Sequence, residues 1–162
     1  ATDKVQYEGE LVAVIGKRAR NVREEDVAQY IFGYTCGNDV SAREWQAGDL
    51  QWWRAKSSDT FTAVGPWIVT ADDVPAPPDL RIASRVNGAA KQDSNTRHMY
   101  FKIPRIIAEL SYGLTLEPGD IISTGTPAGV GHARTPPEFM TAGDVLETEV
   151  YGVGLLRNKI GK

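Results

Sequence analysis

The sequence has one cysteine, two histidines and no long apolar run among its 162 residues. Because Cys36 is alone, no disulfide framework can form within the chain, and we expect a reducing compartment, the cytoplasm. One thiol and two widely separated imidazoles, His98 and His132, cannot supply the usual ligands of a zinc site. No apolar stretch approaches the ~18 residues of a transmembrane helix, so we expect no membrane partner.

The chain also has little excess of one sign of charge over the other. The net charge is −3 and no long basic or acidic run occurs, so no feature indicates binding to nucleic acid or to an anionic membrane. The length and the 41% apolar share predict a single domain over residues 1–162 with a real core. The chain begins at Ala1 without Met, which predicts a piece of a longer protein or a processed one.

The most informative stretch is Glu8-Gly9-Glu10, at the head of the apolar run from Leu11 to Ile15. The run predicts a buried strand, and strand alternation places both glutamates on one face. Two neighbouring carboxylates at a buried strand are stable only with a proton, a cationic side chain or a metal ion. The alternative is a frayed, solvated strand end. A metal bound here would be a hard ion: Mg²⁺, Mn²⁺ or Ca²⁺.

A second polar group begins at the end of the next predicted strand, Tyr34 to Val40. Helical spacing after Asp39 would bring Arg43 and Gln46 to a common side, although Asp39 and Arg43 could equally form a local ion pair. Lys56 lies in the next segment, where an exposed loop lysine is the ordinary alternative to a site residue.

The rest of the chain predicts a strand-rich α+β fold with about seven strands and two helices. One predicted helix is capped by Asn21 and runs to Ile31, and the other begins near Pro104. Asn87-Gly88 is a strong hairpin signal, and no βαβ alternation occurs. The glycine-rich loop 124–131 lets the backbone approach a small partner but lacks the Gly-Lys-Ser/Thr ending of a phosphate loop.

Six motifs in order resemble the C-terminal catalytic domain of the fumarylacetoacetate hydrolase family, of the bacterial acylpyruvase or 2-hydroxyhepta-2,4-diene-1,7-dioate isomerase type. They are Tyr7-Glu8-Gly9-Glu10-Leu11, Gly37-Asn38-Asp39-Val40-Ser41-Ala42-Arg43, Ala55-Lys56-Ser57, Gly65-Pro66-Trp67, Leu116-Glu117-Pro118-Gly119-Asp120 and Thr124-Gly125-Thr126-Pro127-Ala128-Gly129-Val130-Gly131. Each motif is weak alone, but their order is specific. The resemblance implies a mixed β-sandwich roll and, by the family's habit, a homodimer.

The resemblance also implies the roles of individual residues. Glu8, Glu10 and Asp39 match the three carboxylate ligands of a Mg²⁺ or Mn²⁺ ion. The side chains implied to act on the substrate, in catalysis or in binding, are Lys56, Arg43, Gln46 and Thr126. The implied substrate is a small 2-keto or 1,3-dicarbonyl acid.

The implied reaction is C–C bond hydrolysis, decarboxylation or keto–enol isomerisation, in the setting of aromatic-compound catabolism. Hydrolysing members of the family use a His/Glu base on a lid segment upstream of the Glu-x-Glu strand. Neither His98 nor His132 matches that motif, so we expect the base upstream of Ala1. We expect His98 at the mouth of the site or on the surface, and His132 on the surface. The alternative is a non-catalytic metal- or ligand-binding or assembly domain.

Overall fold

The structure, a computed structural model that describes residues 2–161, is built around ten β-strands. The strands are β1 (Val5–Gln6), β2 (Gly9–Ile15), β3 (Ile31–Asn38), β4 (Ser41–Ala42), β5 (Ala63–Thr70), β6 (Arg81–Val86), β7 (Ala89–Asn95), β8 (Ile121–Ser123), β9 (Val145–Val150) and β10 (Gly154–Lys159). The α-helices are α1 (Arg43–Gly48), α2 (Trp53–Lys56) and α3 (Ile103–Gly113). Short 3₁₀ helices cover Glu24–Tyr30, Ala71–Asp73, Thr96–His98 and Gly131–Ala133.

The strands are arranged in two four-stranded antiparallel sheets and one short pair. The first sheet has the order β5-β3-β2-β8, the second has the order β10-β9-β6-β7, and β1 pairs with β4. In the first sheet Gly9 lies opposite Asn38, which brings the start of β2 beside the end of β3. β8 pairs with β2 only from Val12 to Val14, so β8 does not cover the start of β2.

The main hydrophobic core lies between the two sheets and α3. Leu11, Ile82 and Val150 contribute to it from β2, β6 and β9, and Ile107 joins it from the helix. Every residue of β2 is buried, which explains the unbroken apolar run in the sequence. Burial of this strand carries its first residues, including Glu10, into the interior.

The predicted strand-rich fold class is confirmed, but the helix prediction needs correction. The first predicted helix is a 3₁₀ helix over Glu24–Tyr30, preceded by Arg23 with no side-chain cap. Asn21 cannot cap it because its backbone has φ 51° and its N–H donates to the Ser111 carbonyl at 2.8 Å.

Other elements also differ from the sequence expectation. Helix α1 lies where helical spacing was expected, whereas α2 was not predicted. Strands β1 and β4 have only two residues each, too few for a periodic pattern. The hairpin at Asn87-Gly88 is confirmed, and Pro104 lies in the first turn of α3 as predicted. No helix among residues 2–161 is both long and apolar enough to cross a bilayer.

Close packing between β3 and β5 makes a prediction about stability. A Cβ at Gly33 would overlap the backbone carbonyl of Val69 on the paired strand, whereas a Cβ at Gly113, at the end of α3, would meet no atom within 4 Å. We expect Gly33→Ala to lower the free energy of unfolding by about 2–3 kcal/mol. The matched Gly113→Ala control should be neutral or stabilising by up to about 1 kcal/mol. Urea unfolding measures both; equal stability of the two variants would contradict the packing.

Candidate metal centre

Three carboxylates converge where β2 begins and β3 ends. Glu8 precedes β2, Glu10 is its second residue, and Asp39 directly follows β3. The antiparallel register of the two strands brings these positions together, and one carboxylate oxygen from each residue lies within 4.8 Å of the others. Proximity of the three side chains, which the family motifs implied, is therefore present in the structure.

Burial sets the electrostatics of this acidic cluster. Glu8 is 7% exposed and Glu10 is 3% exposed. Burial, reinforced by the charges of Asp39 and Glu8, raises the pKa of Glu10 to about 7, although the Gly125 N–H opposes this. Burial also raises the pKa of Asp39, against the opposing ammonium of Lys56. The cluster therefore resists full ionisation, and a frayed, solvated strand end is excluded.

Lys56 lies directly against two of the three carboxylates. Its Nζ is 2.9 Å from Glu8 Oε2 and 2.6 Å from Asp39 Oδ2. Burial lowers the pKa of Lys56, but the hydrogen bonds to Asp39 and Glu8 outweigh that effect and leave the pKa above its ordinary value. The alternative of an exposed loop lysine is wrong: Lys56 ends α2 with its ammonium among the acids.

Arg43 and Gln46 lie together on α1, as the helical spacing predicted. Arg43 hydrogen-bonds to Gln46 Oε1, and its Nη2 lies 3.3 Å from Glu8 Oε1. Within residues 2–161 its ion-pair partner is Glu8, and the alternative of a local Asp39–Arg43 ion pair is wrong. The buried Nε of Arg43 has no hydrogen-bond partner among the described residues.

The glycine-rich loop forms the opposite wall of the cluster. Gly125 N–H donates to Glu10 Oε2 at 2.9 Å, and Thr126 Oγ1 donates to the Gly9 carbonyl at 2.9 Å. A cleft of about 400 Å³ opens beside the cluster. The residues that line it are Glu8, Arg43, Gln46, Trp52, Lys56, Thr126, Pro127, Ala128 and Val130. All four side chains predicted to act on substrate therefore line one cleft together with Glu8, a candidate metal ligand.

Sequence reasoning missed two buried amides that orient Glu8. Gln6 Nε2 donates to Glu8 Oε1 at 2.6 Å, and Asn38 Oδ1 accepts the Glu8 backbone N–H at 2.9 Å. Both amides are essentially inaccessible to solvent. For Asn38 the available signal was a polar residue at the buried end of β3, since such a residue needs partners. Gln6 lies in the two-residue strand β1, which gives no such signal.

Both histidines are exposed, and neither belongs to the acidic cluster. His98 is exposed in a 3₁₀ helix beside Tyr100, and His132 is exposed with its backbone N–H donating to Gln6 Oε1 at 3.1 Å. Both positions agree with the expected surface location.

The residues of the cluster fit a hard divalent cation. Three carboxylates face two cationic side chains, Lys56 and Arg43, so buried negative charge is left partly uncompensated. Burial of excess charge is unfavourable unless a proton or cation accompanies it. Carboxylate oxygens are ligands that Mg²⁺, Mn²⁺ and Ca²⁺ prefer.

Comparisons with known proteins agree with these features. A model of the fumarylacetoacetate (FAA) hydrolase C-terminal domain matches residues 1–161. Oxaloacetate tautomerase YisK of Bacillus subtilis is 43% identical over 99% of this chain and 53% of its own length.

Two solved structures share the fold over nearly the whole chain. A fumarylacetoacetate hydrolase from psychrophilic Exiguobacterium antarcticum has a TM-score of 0.96 at 42% identity, covering 99% of this chain and 57% of that one. A 5-carboxymethyl-2-hydroxymuconate delta-isomerase from Mycobacterium smegmatis has a TM-score of 0.90 at 44% identity, covering 99% and 60%.

This chain thus spans 53% to 60% of the length of these three relatives. These relatives are named as enzymes, which confirms the prediction that the family is one of enzymes. The family model, the near-complete structural matches and the ordered motifs lead to one conclusion. The chain belongs to the fumarylacetoacetate hydrolase family and corresponds to its C-terminal domain.

Proposed function

We propose that this chain carries the metal- and substrate-binding centre of a divalent-metal-dependent enzyme that interconverts the keto and enol forms of oxaloacetate or a similar 2-keto acid. The observation that carries the proposal is the cluster of Glu8, Glu10 and Asp39, in which Glu8 and Lys56 line the same cleft. The name of the Bacillus subtilis relative, an oxaloacetate tautomerase, supports the choice of reaction.

Glu8, Glu10 and Asp39 would hold one Mg²⁺ or Mn²⁺ ion. When bound, such an ion supplies Lewis-acid polarisation of the keto acid and stabilises negative charge on its oxygens. Glu8 is preorganised for this role, because Gln6 holds its carboxylate and Asn38 holds its backbone N–H. Glu10 is preset by the Gly125 N–H.

The cationic side chains of the cleft would bind and orient the acid. Lys56 Nζ holds a proton and offers positive charge where the enolate oxygen develops its negative charge. Arg43 and Gln46 are linked to each other and would contact the substrate carboxylate from α1. Thr126 contributes to the opposite wall, where its hydroxyl proton is donated to the Gly9 carbonyl.

Tautomerisation needs fewer catalytic groups than hydrolysis. It moves one proton between carbon and oxygen, whereas hydrolysis also needs an activated water that attacks a carbonyl carbon. Hydrolysis and decarboxylation are the other reactions that the same binding groups would serve. The general base upstream of Ala1 and a role in aromatic-compound catabolism both stay predictions.

A homodimer, also a prediction, is supported by apolar side chains exposed on neighbouring strands of the first sheet. Phe32, Trp67 and Ile68 are 51%, 61% and 46% exposed. The single-domain organisation of residues 1–162 is proposed on the shared core that links both sheets.

The reaction is tested by following the ultraviolet absorbance of enol-oxaloacetate in the presence of this chain. We expect Mn²⁺ to accelerate enol loss, and EDTA or the Asp39→Asn substitution to abolish the acceleration. Carbon dioxide release at the same rate would instead identify a decarboxylase. Binding of Mn²⁺ and oxaloacetate without any acceleration would favour the non-catalytic alternative.

Glu10 makes a pH-dependent prediction for the metal-free protein. Its folded-state pKa of about 7 lies above the ordinary 4.5, so its favourable contribution is complete below pH 4.5 and is lost as pH rises through 7. In EDTA, Glu10→Gln should match the parent near pH 4 and be more stable by about 3 kcal/mol above pH 8. Urea unfolding at both pH values measures this.

Addition of Mn²⁺ at pH 8 provides the control, since the ion should stabilise the parent more than the Gln variant. By calorimetry, the variant should bind Mn²⁺ at least tenfold more weakly, because a neutral amide replaces an anionic ligand. Unchanged Mn²⁺ affinity would remove Glu10 from the ligand set.

Lys56 should affect metal and anion binding in opposite directions. Its ammonium contacts Glu8 and Asp39, so Lys56→Met removes a positive charge that opposes a metal ion at these two acids. We expect Mn²⁺ affinity to rise about tenfold and oxalate affinity of the Mn²⁺-loaded protein to fall about tenfold. Arg54→Met, whose parent side chain pairs with Asp49 on the surface, is the matched control. Parallel changes of both affinities in Lys56→Met would contradict the assignment.

A further inference from the structure

Gln92 is a buried polar side chain that the proposed chemistry does not use. It lies on β7, in the second sheet, and is 2% exposed. Its amide nevertheless reaches the first sheet and the glycine-rich loop. A buried amide in this position needs partners for both its oxygen and its nitrogen.

The partners of Gln92 are divided between the strand and the loop. Gly9 N–H donates to Gln92 Oε1 at 3.0 Å. Gln92 Nε2 donates to Thr126 Oγ1 at 2.7 Å and to the Pro127 carbonyl at 2.8 Å. The orientation of the amide is unambiguous, because a backbone N–H can only donate and a carbonyl can only accept.

Thr126 completes a closed ring of hydrogen bonds. Its hydroxyl accepts from Gln92 and donates to the Gly9 carbonyl, so both backbone groups of Gly9 have side-chain partners. Those groups face the side of β2 where β8 is paired only from Val12 onward. Gln92 and Thr126 therefore replace strand pairing at this point, between Glu8 and Glu10.

Close packing makes this arrangement specific to glycine. A Cβ at Gly9 would overlap Ser84 Oγ on the second sheet and would lie 3.1 Å from Thr148 Cγ2. The second sheet therefore lies near enough for a side chain of β7 to reach past β2 to the loop.

We propose that Gln92 is a positioning residue that locks the glycine-rich loop to the Glu8–Glu10 strand. Through the loop it fixes two features of the site, the Gly125 N–H on Glu10 and the wall formed by Thr126 and Pro127. The inferred effect on ligand binding rests on the proposed function, whereas the tie between loop and strand does not.

The first test measures the tie itself, by amide hydrogen exchange in the metal-free chain. Gln92→Met preserves length and removes all three hydrogen bonds, so residues 124–130 should exchange about tenfold faster. The control is Ser111→Ala on α3, which removes a buried hydroxyl that accepts a hydrogen bond from the Val22 N–H. It should leave the exchange rates of the loop unchanged. Loop exchange within twofold of the parent in Gln92→Met would overturn the proposal.

The second test uses Mn²⁺ and oxalate as probes in a double-mutant cycle. Gln92→Met and Thr126→Val should each weaken oxalate binding about tenfold, and the double variant should be no weaker than about twentyfold because both break one ring. If the double variant instead bound oxalate about one hundredfold more weakly, the two losses would be independent and the proposal would be overturned.

Misfolding of the Gln92 variant and failure of the proposed function can be told apart. If Gln92→Met does not fold, Thr126→Val opens the ring from the half-buried loop side, and unchanged loop exchange in that variant would overturn the tie. If the parent binds neither Mn²⁺ nor oxalate, the proposed function fails, and hydrogen exchange in the metal-free chain still decides the role of Gln92.

Discussion

The convergence of three carboxylates, two of them buried and Asp39 half-buried, is the constraint on which the rest of the structure depends. Glu8, Glu10 and Asp39 are drawn together by the pairing of two core strands, and the apolar residues that follow in β2 prevent the glutamates from moving outward into water. Isolated buried anions are strongly unfavourable. The surrounding polar groups are best understood as partial compensation for that burial.

The compensating groups come from distant parts of the chain. Lys56 comes from α2, Arg43 from α1, and the Gly125 N–H from the loop after β8. Each contact involves a charged group, and in a site of low dielectric constant such contacts strengthen one another. Folding therefore brings the two short helices and the glycine-rich loop to the same place as the acids.

The sequence was informative where a feature is local or periodic. The apolar run of β2, the Asn87-Gly88 turn and the proline at the start of α3 are of this kind, and each predicted element is present. Prediction failed where tertiary contacts decide the outcome. Asn21 has the chemistry of a helix cap, yet its backbone is held outside the helix by a contact with Ser111.

The same distinction applies to the site. The acids and Lys56 were found through ordered motifs, because each motif is contiguous in sequence. Gln6, Asn38 and Gln92 lie in strands whose pattern does not identify their partners, and their roles depend on which atoms of other segments lie opposite. Spacing along one strand cannot supply that information, since it arises from the packing of two sheets.

In the proposed function, the charge balance of the cluster would link metal binding to substrate choice. With all three acids ionised, Lys56 and Arg43 leave one uncompensated negative charge, and protonation of Glu10 near pH 7 removes it in the metal-free protein. A divalent cation in place of that proton would reverse the sign and leave one positive charge in a partly buried cleft. Such a cleft attracts small anions and repels cations. The keto acid of the proposed function would satisfy this balance with its carboxylate, and the same cationic groups would stabilise the charge that develops on its enolate oxygen.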